Sequence, residues 1–202
     1  MSKFPYQIYC DMDGVLVDFM TGAVRRINEA LTSPPDDLAD LAQKVISELG
    51  RDYIKRADIH KKSDGASKHA RDFMYRLLER DEGFWAHLPW TKEGQRLWAF
   101  LEHYDPILLT SPMNRGGYEQ SIEGKKKWAK SNLAILDTNK RMIFAHNKYE
   151  HACKAGKPCV LIDDFMHKVE PFREHGGVGI HHTSVDETIR TLKELKNGSN
   201  AD

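Results

Sequence analysis

Little in this 202-residue sequence leans to one side. Lys and Arg number 30, Asp and Glu also number 30, and the formal net charge is zero. The charge balance therefore lacks the basic excess that marks proteins of nucleic acid or anionic membrane surfaces. Cysteine is scarce: Cys10, Cys153 and Cys159 form no metal-like cluster. Their odd count beside strand-like apolar neighbours suits buried free thiols in a reducing compartment. No apolar run approaches membrane-spanning length, and Met1-Ser2-Lys3-Phe4-Pro5 has no apolar leader core. A cytoplasmic protein is expected. There is no internal repeat and no low-complexity tract. The length allows one sizeable core and a small inserted unit.

What is present begins with Ile8-Tyr9-Cys10-Asp11-Met12-Asp13-Gly14. A β-prone run, Tyr6 to Cys10, leads straight into two carboxylates one residue apart. Alternation along an extended backbone sends Asp11 and Asp13 to the same side, and Gly14 lets the chain turn away at little steric cost. Two anions so placed repel unless a cation sits between them or one holds a proton, which asks for a hard ion such as Mg²⁺. A bare Asp-x-Asp-Gly also reads as a strand-to-helix turn, so the later stretches decide.

Asp18 to Leu31 is expected to be helical, and Ser33-Pro34-Pro35 ends it. Leu38, Leu41, Ala42, Val45, Ile46 and Leu49 mark one face of an amphipathic helix that stops at Gly50. Residues 51–65 are polar and basic and close with Ser63-Asp64-Gly65, a loop signature. Ala70, Phe73, Met74, Leu77 and Leu78 mark the next helical face. Residues 32–88 thus read as a helical cap inserted after the first strand, and 1–31 with 89–197 as an α/β core; 198–202 reads as a disordered tail. From Thr91, a candidate N-cap, strands and helices alternate. Short apolar runs at Pro106–Leu109, Arg141–Ala145, Pro158–Ile162 and Val178–Ile180 are the expected strands, and Ser184 to Glu187 is a capping box opening the last helix. Such alternation predicts a parallel sheet flanked by helices, with ligands at the carboxyl ends of the strands.

The polar residues at those ends are Asp11 and Asp13, then Thr110 and Ser111, then Lys148, then Asp163 and Asp164. Carboxylates, hydroxyls and one ammonium, each following an apolar strand, suit phosphoryl transfer through an aspartyl phosphate, because a dianionic phosphate needs cations beside a carboxylate nucleophile. Each piece has a plainer reading: Thr110-Ser111-Pro112 as a turn, Lys148 as a solvated lysine. His181-His182 lacks a third ligand and reads as a loop, and Lys125-Lys126-Lys127 with Trp128 as a solvated helical face.

In order and spacing these motifs resemble the haloacid-dehalogenase-like (HAD) phosphohydrolases. Within that superfamily the chain resembles the 5'(3')-deoxyribonucleotidases, on Asp11 to Phe19, Gly83-Phe84-Trp85 with Leu88-Pro89, Thr110-Ser111-Pro112, Gly124 to Trp128 and Leu161 to Asp164. The resemblance covers roughly residues 6–170. It implies a HAD-type Rossmannoid sheet and a Mg²⁺-dependent phosphomonoesterase acting on nucleoside monophosphates through a phosphoaspartyl intermediate. Asp11 would be the nucleophile and Asp13 the general acid and base. Mg²⁺ would be held by Asp11, the backbone carbonyl of Asp13 and one of Asp163 and Asp164, with Asp164 favoured. Thr110, Ser111 and Lys148 would bind phosphate, with Lys154 and Lys157 as alternatives to Lys148, and Phe19 would contact the base or else belong to the core. The expected partner is a small phosphate ester, with no nucleic acid and no membrane; a homodimer is left open. Residues 32–81 match the nucleotidases poorly, which keeps another small ester, a polynucleotide 3'-phosphate, or a non-catalytic phospho-acceptor module as alternatives.

Overall fold

The computed structural model describes residues 4–60, 66–114 and 116–198. The expected loop at Ser63-Asp64-Gly65 and the tail beyond Gly198 lie outside them. Among the described residues the strands are β1 (Ile8–Cys10), β2 (Ile107–Thr110), β3 (Met142–Phe144), β4 (Cys153–Lys154), β5 (Lys157–Pro158), β6 (Val160–Asp163) and β7 (Val178–His181). Five of them make a sheet in the order β3-β2-β1-β6-β7, and every neighbouring pair in it is parallel. Strands of a sheet covered on both faces carry unbroken apolar runs. Ile8, Leu108, Leu109, Val160, Leu161 and Ile162 are accordingly all fully buried. β4 and β5 pair separately as a small antiparallel hairpin. Cys153 stands exposed on that hairpin while Cys10 and Cys159 are buried. The expectation of three buried thiols therefore fails at Cys153, because its strand belongs to the hairpin and not to the covered sheet.

The chain divides into two compact units: residues 1–18, 90–112 and 129–202 form the first, residues 19–89 and 113–128 the second. The second unit begins with the whole of α1 (Phe19–Thr32), so the boundary lies at Asp18 and not within that helix. It continues through α2 (Ala39–Leu49), α3 (Arg56–Ile59), α4 (Lys68–Leu78) and α5 (Glu82–Ala86). Gly50 caps α2 with φ of +65°, a left-handed conformation that costs glycine little. The Ser67 hydroxyl caps α4 by accepting from Ala70 N–H, and Ala70, Phe73, Met74, Leu77 and Leu78 are all buried, as their spacing predicts. α3 arises inside a stretch read as loop: the Asp58 carboxylate accepts from Lys55 N–H and from Arg51, fixing one helical turn locally.

The remaining helices are α6 (Gly94–Leu101), α7 (Tyr118–Leu133), α8 (Thr138–Arg141), α9 (Met166–Glu174) and α10 (Val185–Gly198). Thr91 does not cap α6. Its hydroxyl donates to Val15 O at 2.9 Å, and the helix begins two residues after it would have as a Thr91-capped segment. Ser184 does cap α10, accepting from Glu187 N–H at 3.3 Å. The portion of α7 carrying Lys125 departs from the solvated face its three lysines suggest. Lys125 is fully buried, with Nζ 5.4 Å from the centre of the Trp85 ring, and buried Trp128 donates to Leu88 O at 2.8 Å. A cation over an indole face is attracted by the ring's negative quadrupole, which makes a lysine at this position a core residue.

Candidate functional site

β1 lies in the middle of the sheet; from it the chain proceeds to β2 and β3 on one side, then to β6 and β7 on the other. Strand order therefore reverses beside β1, and the crevice beyond the carboxyl ends at such a point is where open parallel sheets bind ligands. Asp11 follows β1 at that place, its N–H donating to Ile162 O at 2.9 Å and so extending the ladder by one residue. The chain then coils tightly: Met12 O accepts from the N–H groups of Val15, Leu16 and Val17, and Gly14 N–H donates to Val17 O at 2.8 Å. Gly14 has φ of +79°. A Cβ there would lie 2.2 Å from Asp164 Oδ2, so both the turn and the adjacent acid require glycine.

Three of the expected carboxylates meet. Oxygens of Asp11, Asp163 and Asp164 lie within 4.8 Å of one another. The Asp13 carboxylate is not part of that trio; the strand ends at Cys10 and the tight coil begins before Asp13. Asp13 is still close enough for its charge to push the Asp164 pKa upward.

Lys148 reaches the trio from the segment after β3. Only 2% of its surface is exposed, and Nζ lies 2.6 Å from Asp163 Oδ2 and 2.9 Å from Asp11 Oδ1. Burial works against its charge, but the two carboxylates more than offset that and hold its pKa above the ordinary lysine value. Lys154 and Lys157, the alternatives, stand exposed on the β4–β5 hairpin. Asp163 also accepts from Phe165 N–H at 2.8 Å, which leaves both of its oxygens engaged. Burial and the Asp11 charge nevertheless push its pKa up to about 6. Asp164 is pushed up to about 7, by burial first and then by Asp11, Asp163 and Asp13. Its Oδ1 is buried without a hydrogen-bond partner. Crowded, desolvated carboxylates of this kind mark a cation site as readily as an acid.

Thr110 ends β2 and is fully buried, and its carbonyl accepts from Ala145 N–H at 3.0 Å. The Ser111 hydroxyl donates to Ala145 O, also at 3.0 Å, which commits its proton to the turn ahead of Lys148. Phe19 belongs to the second unit, where its ring stacks on Trp85 at 5.6 Å and meets Phe84 edge-on at 5.7 Å.

Lys168 escaped the sequence reading, and the two histidines, expected to lie in a loop, do not both do so: His181 ends β7. Lys168, in the first turn of α9, donates to His146 O at 2.8 Å. Burial and then the charge of Lys148 lower its pKa. The signal was its place in the first turn of the helix that follows Asp163-Asp164. His181 and His182 each bond a main-chain carbonyl of the acidic pair, a role that side-chain spacing does not reveal.

The residues fit Mg²⁺. All donors are hard oxygens, and magnesium–oxygen bonds of ~2.1 Å place ligand oxygens roughly 3 to 4 Å apart, compatible with a trio whose oxygens lie within 4.8 Å of one another. Each of the three offers one oxygen to the group; Asp163 is also held by Lys148 and Phe165 N–H, whereas Asp164 Oδ1 has no hydrogen-bond partner.

No family model matches the chain, and no curated protein matches it. Solved structures do. They include a hydrolase from Streptococcus pneumoniae TIGR4, with 14% identity and a TM-score of 0.49 over 93% of this chain and 98% of that one. A HAD family hydrolase from Deinococcus radiodurans R1 with bound phosphate and sodium has 15% identity and a TM-score of 0.36 over 96% and 97%. The L-2-haloacid dehalogenase from Xanthobacter autotrophicus, with chloropropionic acid covalently bound, has 13% identity and a TM-score of 0.42 over 94% and 82%.

Proposed function

We propose that the protein is a Mg²⁺-dependent phosphomonoesterase acting on nucleoside monophosphates, and that Asp11 carries the phosphoryl group. The observation that supports this reading best is the buried Lys148 bridging Asp11 and Asp163 within the carboxylate trio at the sheet's switch point. One carboxylate is spared full burial of its charge by an ammonium, which is the state a nucleophile toward a phosphate dianion needs. Asp11 would attack phosphorus as the ester P–O bond breaks, and Asp13 would give its proton to the departing oxygen. Asp13 would then take a proton from water as that water attacks the phosphoaspartate, releasing phosphate and restoring Asp11. Lys148 offsets charge on Asp11 and phosphate throughout. Thr110 would bind a phosphate oxygen through its hydroxyl, while Ser111, bonded to Ala145 O, would steady the turn leading to Lys148. When bound by Asp11, Asp164 and the Asp13 carbonyl, Mg²⁺ would supply positive charge beside the phosphate.

The nucleotide substrate rests on the resembling segments named above, not on the carboxylate geometry. Phosphate release from a panel of nucleoside monophosphates, sugar phosphates and a 3'-phosphorylated oligonucleotide tests both levels. Turnover of nucleoside monophosphates that stops with EDTA and returns with Mg²⁺ is expected. Turnover confined to another ester keeps the chemistry and replaces the substrate, whereas no Mg²⁺-dependent turnover of any ester overturns the reading. A long-lived phosphoprotein without turnover would identify a phospho-acceptor instead.

A further inference from the structure

Asp163 is fixed through its side chain, by Lys148 at 2.6 Å and by Phe165 N–H at 2.8 Å. Asp164, whose Oδ1 has no hydrogen-bond partner, is fixed through its main chain. His181, at the end of the edge strand β7 and in register with Asp163, places Nε2 3.1 Å from Asp164 O. A carbonyl oxygen only accepts, so the proton in this bond belongs to Nε2. The next residue, His182, donates its main-chain N–H to Asp163 O at 2.8 Å. Two consecutive carbonyls of the acidic pair are thus taken by two consecutive histidines. On the other side, the missing side chain of Gly14 leaves the space that Asp164 Oδ2 occupies.

We propose that His181 is a positioning residue for Asp164: its ring N–H holds the Asp164 carbonyl, and with it the direction in which the carboxylate projects toward Asp11. The inference rests on the metal reading above. A ligand's orientation is set as much by its outer hydrogen bonds as by its own rotamer, and their loss costs metal affinity about 10- to 100-fold. Only the His181 bond comes from a side chain, whereas the His182 bond is main-chain and survives any substitution but proline.

Mn²⁺, which gives an electron paramagnetic resonance signal when free, stands in for Mg²⁺ in the test. The free ion is titrated against wild type, His181→Ala, His181→Leu and His181→Gln, with thermal unfolding followed for each. Removing the donor should weaken Mn²⁺ binding about 10-fold or more in the alanine and leucine variants, the latter keeping bulk if the former does not fold. Gln Nε2 reaches much as His Nε2 does, so His181→Gln should recover most of the affinity. Wild-type affinity in the variants without a donor, or a glutamine variant as weak as leucine, would overturn the inference alone. A wild type that binds no Mn²⁺ would overturn the metal reading and this inference together.

Discussion

Each of the two units buries a carboxylate, and the two are treated in opposite ways. In the helical unit, both oxygens of Asp58 accept from Arg51 at 2.7 and 2.8 Å, and Oδ2 also accepts from Lys55 N–H. Every buried lone pair that matters has a donor, and the result is one turn of helix. In the sheet unit, Lys148 pairs with Asp11 and Asp163, while Asp164 Oδ1 has no hydrogen-bond partner. Folding does not gain from that crowding, since like charges at close range in a desolvated place repel. A buried acid that is fully paired serves architecture; buried acids that outnumber their cations serve chemistry.

That contrast can be broken by five substitutions. The largest effect is expected from Asp11→Asn, which removes the proposed nucleophile and should lower turnover by on the order of 10⁴-fold or more while leaving the protein folded, as followed by phosphate release and circular dichroism. Next comes Asp58→Asn in the helical unit, which leaves the Arg51 charge without its partner. It should cost roughly 3 kcal/mol in urea unfolding, with a much smaller effect on turnover per folded molecule. Asp164→Asn should do the reverse: in the presence of EDTA its melting temperature should match or exceed wild type, by up to about 1 kcal/mol in stability. Mg²⁺ should then raise the melting temperature of wild type and not of this variant. An Asp164→Asn protein that is clearly less stable without metal would mean that the trio is structural. The smallest effect belongs to Lys154→Ala and Lys157→Ala, both on the exposed hairpin, which should stay within about two-fold of wild-type turnover.

The parallel sheet was legible because strands buried on both faces must be apolar throughout, and Ile107–Leu109, Val160–Ile162 and Val178–Ile180 say so directly. The strand ends were legible for the same reason, since Asp163-Asp164 breaks such a run where nothing in packing asks for an acid. Three features were not. Lys125 belongs to a run of three lysines, and only the facing indole of Trp85 tells which of them turns inward. Thr91 has the composition of a cap, but the carbonyl of Val15, far away in sequence, claims its hydroxyl. His181 acts on a main-chain oxygen, and any residue at position 164 would present one, so no spacing of side chains could announce it. The joining of α1 to the helical unit likewise depends on which surface its apolar stripe meets.

The placing of β1 at the middle of the sheet also governs when the site comes into being. Asp11 is synthesised roughly 150 positions before its neighbours on β6. Closing so long a loop is entropically costly and comes late. A nascent chain therefore carries this carboxylate through a long stretch of synthesis without Lys148, Asp163 and Asp164, and the cluster assembles only once β6 has joined the sheet.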